Sequence, residues 1–199
     1  MIGPLTPLRP DLRIAASVPE DAVPCVGLRD PGKVPTRLQS AWLSLRGAPR
    51  RDGEVLLAPA DPPTLLAGLG SVEASDRPAA TRIGAAIVTA SAGFRTISLD
   101  LSTFGGVNLQ GLFEGMLLAA YRFDRYRSQP QPPRLEAITL RGDGGGEVAA
   151  ALARAHVVAR GVCAARDLVN EPGSVATAEA ICDFAARLGA ETGFNVEAW

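Results

Sequence analysis

One lysine, one histidine and three cysteines in 199 residues leave this sequence short of the side chains that carry most chemistry. A metal centre needs three or four close Cys, His or carboxylate ligands, and neither Cys-x-x-Cys nor His-x-x-x-His spacing occurs. Asp100, Asp124 and Asp167 are scattered singly and read as helix-end or surface partners. A Ser-His-acid or Cys-His site would have to use His156, inside a predicted long helix. Cys163 lies seven residues on, roughly 10 Å along the axis at 1.5 Å per residue, too far for a direct hydrogen bond. No catalytic residue and no metal ligand is therefore assigned. Cys25, Cys163 and Cys182 are odd in number and widely spaced, as expected of reduced thiols in a cytoplasmic protein. Pro4, Pro7, Pro10 and the charges Arg9, Asp11 and Arg13 exclude a signal peptide's apolar segment. The longest apolar region, Ile83 to Phe94, is about a dozen residues against the roughly 20 needed to span a bilayer. With 20 basic and 21 acidic groups the net charge is −1, so no strong field draws in nucleic acid or a membrane. Aromatics are few, at 5%.

Alanine, valine, leucine and isoleucine are what the chain has instead, within a hydrophobic fraction of 47%. Leu12 to Val18, Ala22 to Leu28, Glu54 to Ala58 and Thr64 to Leu69 are strand-length apolar runs separated by proline and turn residues. A short helix is expected between Lys33 and Asp52. Ser75 or Asp76 can cap a helix with Ile83, Ile87 and Ala90 on one face, ending at Gly93. Ile97, Leu99 and Leu101 alternate with Thr96, Ser98 and Asp100, the period of a half-buried strand. Asn108 can cap a helix whose Leu109, Leu112, Phe113, Met116 and Ala120 form the buried stripe, with Gln110 and Glu114 opposite. Leu135 to Leu140 reads as a strand. The longest helix follows, about Glu147 to Val169, with Val148, Leu152, Ala155, Ala159, Val162 and Val169 as its stripe. Thr177 caps another, reaching about Gly193, and Phe194 to Trp199 has the pattern of a strand beginning. Strands alternating with helices after a strand-only start predict an α/β fold, a three-layer α/β/α sandwich with a mixed sheet.

Two segments invite a binding function. The loop of Gly142, Asp143, Gly144, Gly145 and Gly146 joins a strand to a helix, where backbone amides can cradle a phosphate. Glu147 stands where a dinucleotide fingerprint needs its third glycine, and the P-loop Lys-Ser or Lys-Thr pair is missing. A permissive turn is the competing reading. Tyr121, Arg122, Phe123, Asp124, Arg125, Tyr126 and Arg127 interleave aromatics with arginines as a nucleic-acid surface does. The competing reading is a helix C-terminus, with arginines opposing the macrodipole and aromatics packed under a loop.

The segment Glu114 to Tyr126 resembles a helix in the N-terminal domain of the leucyl aminopeptidase family, the cytosolic metalloexopeptidases. Ala165-Arg166-Asp167-Leu168-Val169-Asn170-Glu171-Pro172 is similar to that family's junction between its N-terminal and peptidase domains. Leu65-Leu66-Ala67-Gly68-Leu69-Gly70 is similar to its strand ending in Gly-Leu-Gly. Order and spacing agree from about Leu65 to Trp199, while residues before Pro63 match only in strand pattern. Ala176-Thr177 replaces the usual Thr-Pro. The resemblance implies a macro-domain-like fold, a hexameric enzyme releasing N-terminal residues from peptides, and two divalent metals, Zn or Mn, held in a C-terminal domain. That domain's Gly-Lys-Gly and Asn-Thr-Asp-Ala-Glu-Gly-Arg-Leu segments are absent, and Lys33 falls in a turn. It further implies residues 1–170 as a non-catalytic domain that aids assembly and access to the active site. Residues 171–199 would be a linker, helix and first strand leading into the peptidase domain, the chain's expected partner. Arg166, Asp167, Asn170 and Pro172 are the junction candidates; Gly142, Gly144 and Gly145 are the phosphate-loop candidates. The alternatives are a nucleotide-binding module for ADP-ribose and a DNA-binding domain.

Overall fold

The computed structural model describes residues 2–15, 17–30, 34–35, 38, 47–71, 73, 76–130, 135–142 and 145–197. Most of the helix expected between Lys33 and Asp52 falls outside them, as do the turn at Lys33, the alternative cap Ser75, and Gly144. Six strands form one sheet: β1 Asp11–Ile14, β2 Val23–Leu28, β3 Val55–Ala58, β4 Thr64–Gly68, β5 Thr96–Asp100 and β6 Ala137–Arg141. Their order is β1-β6-β5-β2-β4-β3, and only β3 runs antiparallel, against β4. Among the described residues four α-helices accompany them: α1 Arg77–Ala90, α2 Leu109–Ala119, α3 Gly146–Asn170 and α4 Ala178–Thr192. The mixed sheet and the α/β class are those the sequence predicts.

Connection handedness explains the helix layer. The crossovers from β4 to β5 through α1 and from β5 to β6 through α2 step the same way along the sheet, so right-handed connections place both helices on one face. There Cys25, Leu65, Ala67, Ile97, Leu99, Ile138 and Leu140 pack against Ile83, Ile87, Leu112, Phe113, Met116, Ala151 and Ala155. On the opposite face Val26, Leu28 and Leu66 are covered by Val34, Leu38, Ala48 and Ala60. All five residues of β4 are buried, the mark of a strand covered on both sides.

Helices α1 and α2 approach so closely that glycine is required at their contact. A Cβ on Gly84 would lie 2.0 Å from the Leu112 carbonyl oxygen, and one on Gly115 2.0 Å from that of Thr81. The approach is reinforced by Arg77, whose Nε and Nη2 donate to the Glu114 carboxylate at 3.0 and 2.6 Å, and by Gln110 Nε2, which donates to Oε1 at 2.8 Å. Glu114, expected on the polar face of α2, is therefore buried at 4% exposure. The expected caps are present: Asp76 accepts from Ala79 N, Asn108 from Gly111 N and Thr177 from Ala180 N.

Several element ends and faces differ from expectation. β1 stops at Ile14 and α1 at Ala90. Helix α2 ends at Ala119, so Tyr121 to Tyr126 leave it as a turn rather than continue it. The buried stripe of α3 is Ala151, Ala155, Ala159, Cys163, Ala164 and Asp167, while Val169 is 84% exposed. A helix whose partner approaches closely buries its small residues, not its largest aliphatic ones. By length and composition α3 is also apolar enough to cross a membrane, a property the sequence reading assigned to no segment. Phe194 to Glu197 form no strand, because no neighbouring strand lies beside them. They turn back onto α4, where the Phe194 carbonyl would lie 2.6 Å from a Cβ on Gly189.

Gly84→Ala and Gly115→Ala are each expected to cost about 2–3 kcal/mol, the upper part of the overpacking range, seen as a lower urea midpoint at unchanged slope. Gly161→Ala is the control. Nothing stands within 4 Å of its Cβ position in α3, so it should stabilise by about 0.5–1 kcal/mol.

Candidate functional site

Helical spacing sets Asp167 and Glu171 on the inner side of α3's C-terminal turn, facing the exit of α2. Asp167 is fully buried. A carboxylate withdrawn from water needs donors in its place, and three are supplied. Thr6 donates its backbone N–H to Oδ2 and its hydroxyl to Oδ1, both at 2.7 Å. Tyr121 donates its phenol to Oδ1 at 2.8 Å. Asn170 Nδ2 in turn donates to the Tyr121 oxygen at 3.2 Å. Burial first, and then the Asp167 carboxylate, push the Tyr121 phenol above its ordinary range, so it remains a donor at neutral pH. Arg166 lies 5.4 Å from the Tyr121 ring centroid and donates from Nη1 to the Leu118 carbonyl at 2.8 Å, one of the terminal acceptors of α2.

A second group sits one turn further on. Glu171 pairs with Arg125 and accepts from the Tyr126 hydroxyl. Arg125 Nη2 donates to the Pro4 carbonyl at 2.6 Å, and its guanidinium lies 5.3 Å from the Phe123 ring centroid. Arg122 and Arg127 both pair with Asp124. The arginine and aromatic side chains that suggested a nucleic-acid surface are therefore largely committed to intramolecular partners. Tyr121, Arg125 and Tyr126 join the turn after α2 to the end of α3, a destination that sequence reasoning missed. The acidic pair, Asp167 and Glu171, lies more than forty residues further along the sequence, so no local signal tied it to these donors.

Among the junction candidates, Arg166, Asp167 and Asn170 come together here. Their side chains engage Thr6, Leu118 and Tyr121 rather than cap α3. The cap is made by the backbone, with Glu171 N donating to the Asp167 and Leu168 carbonyls. Pro172 follows the extended Glu171, and its carbonyl accepts from Val175 and Ala176 N. The glycine loop lies at the opposite end of α3. Gly142 has φ +147° and lines a cleft of about 540 Å³ with residues of the Leu101 to Gln110 segment, while Gly145 is the N-cap of α3. Glu147 occupies the first turn, where its charge satisfies the helix dipole that a phosphate would otherwise use. Among the described residues, no group of three or more His, Cys, Asp and Glu could hold a metal ion.

The two buried cysteines are poor nucleophiles. Burial pushes the Cys25 thiol up to about 12 and raises that of Cys163, whereas Cys182 is exposed. At pH 8 a disulfide reagent such as Ellman's should titrate one thiol rapidly in the folded protein, lost in Cys182→Ser, and the other two only after denaturation. Tyr121→Phe removes a donor from a buried carboxylate and is expected to cost about 1–3 kcal/mol in urea unfolding.

Residues 51–130 match the profile of the cytosol aminopeptidase family, N-terminal domain. A probable cytosol aminopeptidase of Syntrophotalea carbinolica is 45% identical over 93 residues, which is 44% of this chain and 19% of that protein. The solved bottromycin maturation enzyme BotP in complex with Mn superposes with a TM-score of 0.70 at 28% identity, over 87% of this chain and 37% of that one. A tomato leucine aminopeptidase mutant superposes at 0.69 over 96% of this chain and 44% of that one; at 20% identity it bears on the fold alone. The chain thus spans about a fifth of the curated relative and less than half of either solved chain. The profile, the sequence identity and the superposed fold agree: over residues 51–130 the chain matches the N-terminal domain of the cytosol aminopeptidase family.

Proposed function

We propose that this domain serves a cytoplasmic, metal-dependent aminopeptidase that releases N-terminal residues from peptides, and that it contributes to assembly and access rather than to bond cleavage. The observation that carries the reading is the agreement of the family match over residues 51–130 with a superposition on BotP covering 87% of the chain. The relatives' name, cytosol aminopeptidase, supports the compartment and the reaction. The manganese in the BotP complex supports a divalent metal as cofactor. The described residues offer no cluster of ligands that fits such a metal. We therefore place the pair of Zn or Mn ions, and the activation of water they would supply, in a C-terminal peptidase domain outside this sequence.

In this reading residues 1–170 form a macro-domain-like assembly unit of a hexamer, and residues 171–199 lead toward the peptidase domain. Arg166, Asp167, Asn170 and Pro172 set the direction in which the chain leaves α3. The buried bonds of Asp167 support that role, because they fix the last turn of α3 to two other parts of the domain. Incubated with leucine-p-nitroanilide and manganese or zinc, the 199-residue protein should release no nitroaniline above the metal blank. Turnover at an enzymatic rate would overturn the division of labour.

A further inference from the structure

The geometry points to residues 2–7 as a strap that holds α4 on the rest of the domain. Helix α4 has few attachments of its own. Ala180, Phe184 and Gly189 are its buried residues. Gly189 faces the chain's own return at Phe194 and Val196, while Ala180 and Phe184 share a small apolar cluster with Ala164 of α3 and with Ile2. Ile2 is 1% exposed, the most deeply buried member of that cluster. Its carbonyl accepts from Arg187 Nη2 of α4 at 2.7 Å. The ion pair between Arg160 of α3 and Glu191 of α4 spans 3.6 Å between side chains both more than half exposed, a geometry that contributes little. Ile2 therefore supplies both the apolar centre and a part-buried hydrogen bond of the α4 contact.

The other end of the segment is bound to the body. Thr6 gives two hydrogen bonds to the fully buried Asp167, and Arg125, from the turn after α2, binds the Pro4 carbonyl and lies against Gly3. Six residues thus run from a polar anchor on α3 and the α2 exit to an apolar anchor under α4. The large core between the sheet and helices α1 to α3 shares no residue with the α4 cluster. Separate clusters open separately when the contact between them is small. Release of the strap consequently frees α4, and whatever chain follows it, while the sheet stays folded. This inference does not depend on the aminopeptidase reading.

Hydrogen–deuterium exchange on the full 199-residue protein tests it with two variants. Ile2→Ala empties the apolar anchor and should speed exchange of the α4 amides 182–192 by about tenfold, with α1 and α2 unchanged. Thr6→Val removes a donor at the polar anchor, which bonds to α3 and not to α4. It should also speed α4, by roughly three- to tenfold, because its effect travels along the strap. Unchanged α4 exchange in either variant overturns the proposal, as does equal acceleration in α1 and α2.

Discussion

A carboxylate buried without water must be surrounded by donors, and the way Asp167 meets that requirement arranges the end of this domain. Its oxygens accept from Thr6 near the start of the chain and from Tyr121 after α2. Three segments far apart in sequence are fixed at one point because none of these donors can leave without stranding charge in the interior. Glu171 repeats the arrangement one turn later with Arg125 and Tyr126. The end of α3 is thereby held in a defined direction.

That arrangement is possible only because α2 ends where it does, and α2 is positioned by the glycine contact with α1. Gly84 and Gly115 let two helices approach to backbone contact, and the ion pair of Arg77 with the buried Glu114 fixes their relative position along the axis. The contact sets where Leu118 and Tyr121 emerge, and Arg166 and Asp167 then meet them. Packing in the helix layer and polar bonding at the end of α3 are therefore successive consequences of one close approach.

The sequence was informative where physics is local. Cap residues, strand alternation and proline turns located all six strands and all four described helices to within about four residues at their ends, because each depends on neighbours within about one turn or one strand length. It was less informative about burial. Ser98 and Thr139, opposite each other on β5 and β6, are both buried although their pattern reads as a solvent face. On α3, Val169 is exposed and Cys163 buried, since close packing selects small side chains on a helix that periodicity alone cannot rotate correctly. The arginine and tyrosine residues after α2 were visible as a cluster. Their acceptors, more than forty residues away, were not.

Composition and pattern by themselves determined the α/β class, the mixed sheet and the shortage of nucleophile and metal ligands, since these follow from residue type and short-range periodicity. The similarity to the aminopeptidase N-terminal domain was likewise present in the linear order of its motifs. Only the tertiary structure decided that Glu114, Asp167 and Glu171 are interior charges and that Ile2 lies beneath α4. Those outcomes depend on which segments meet in space. Burying a charge or an N-terminal isoleucine becomes favourable only after distant donors and apolar faces have been brought together.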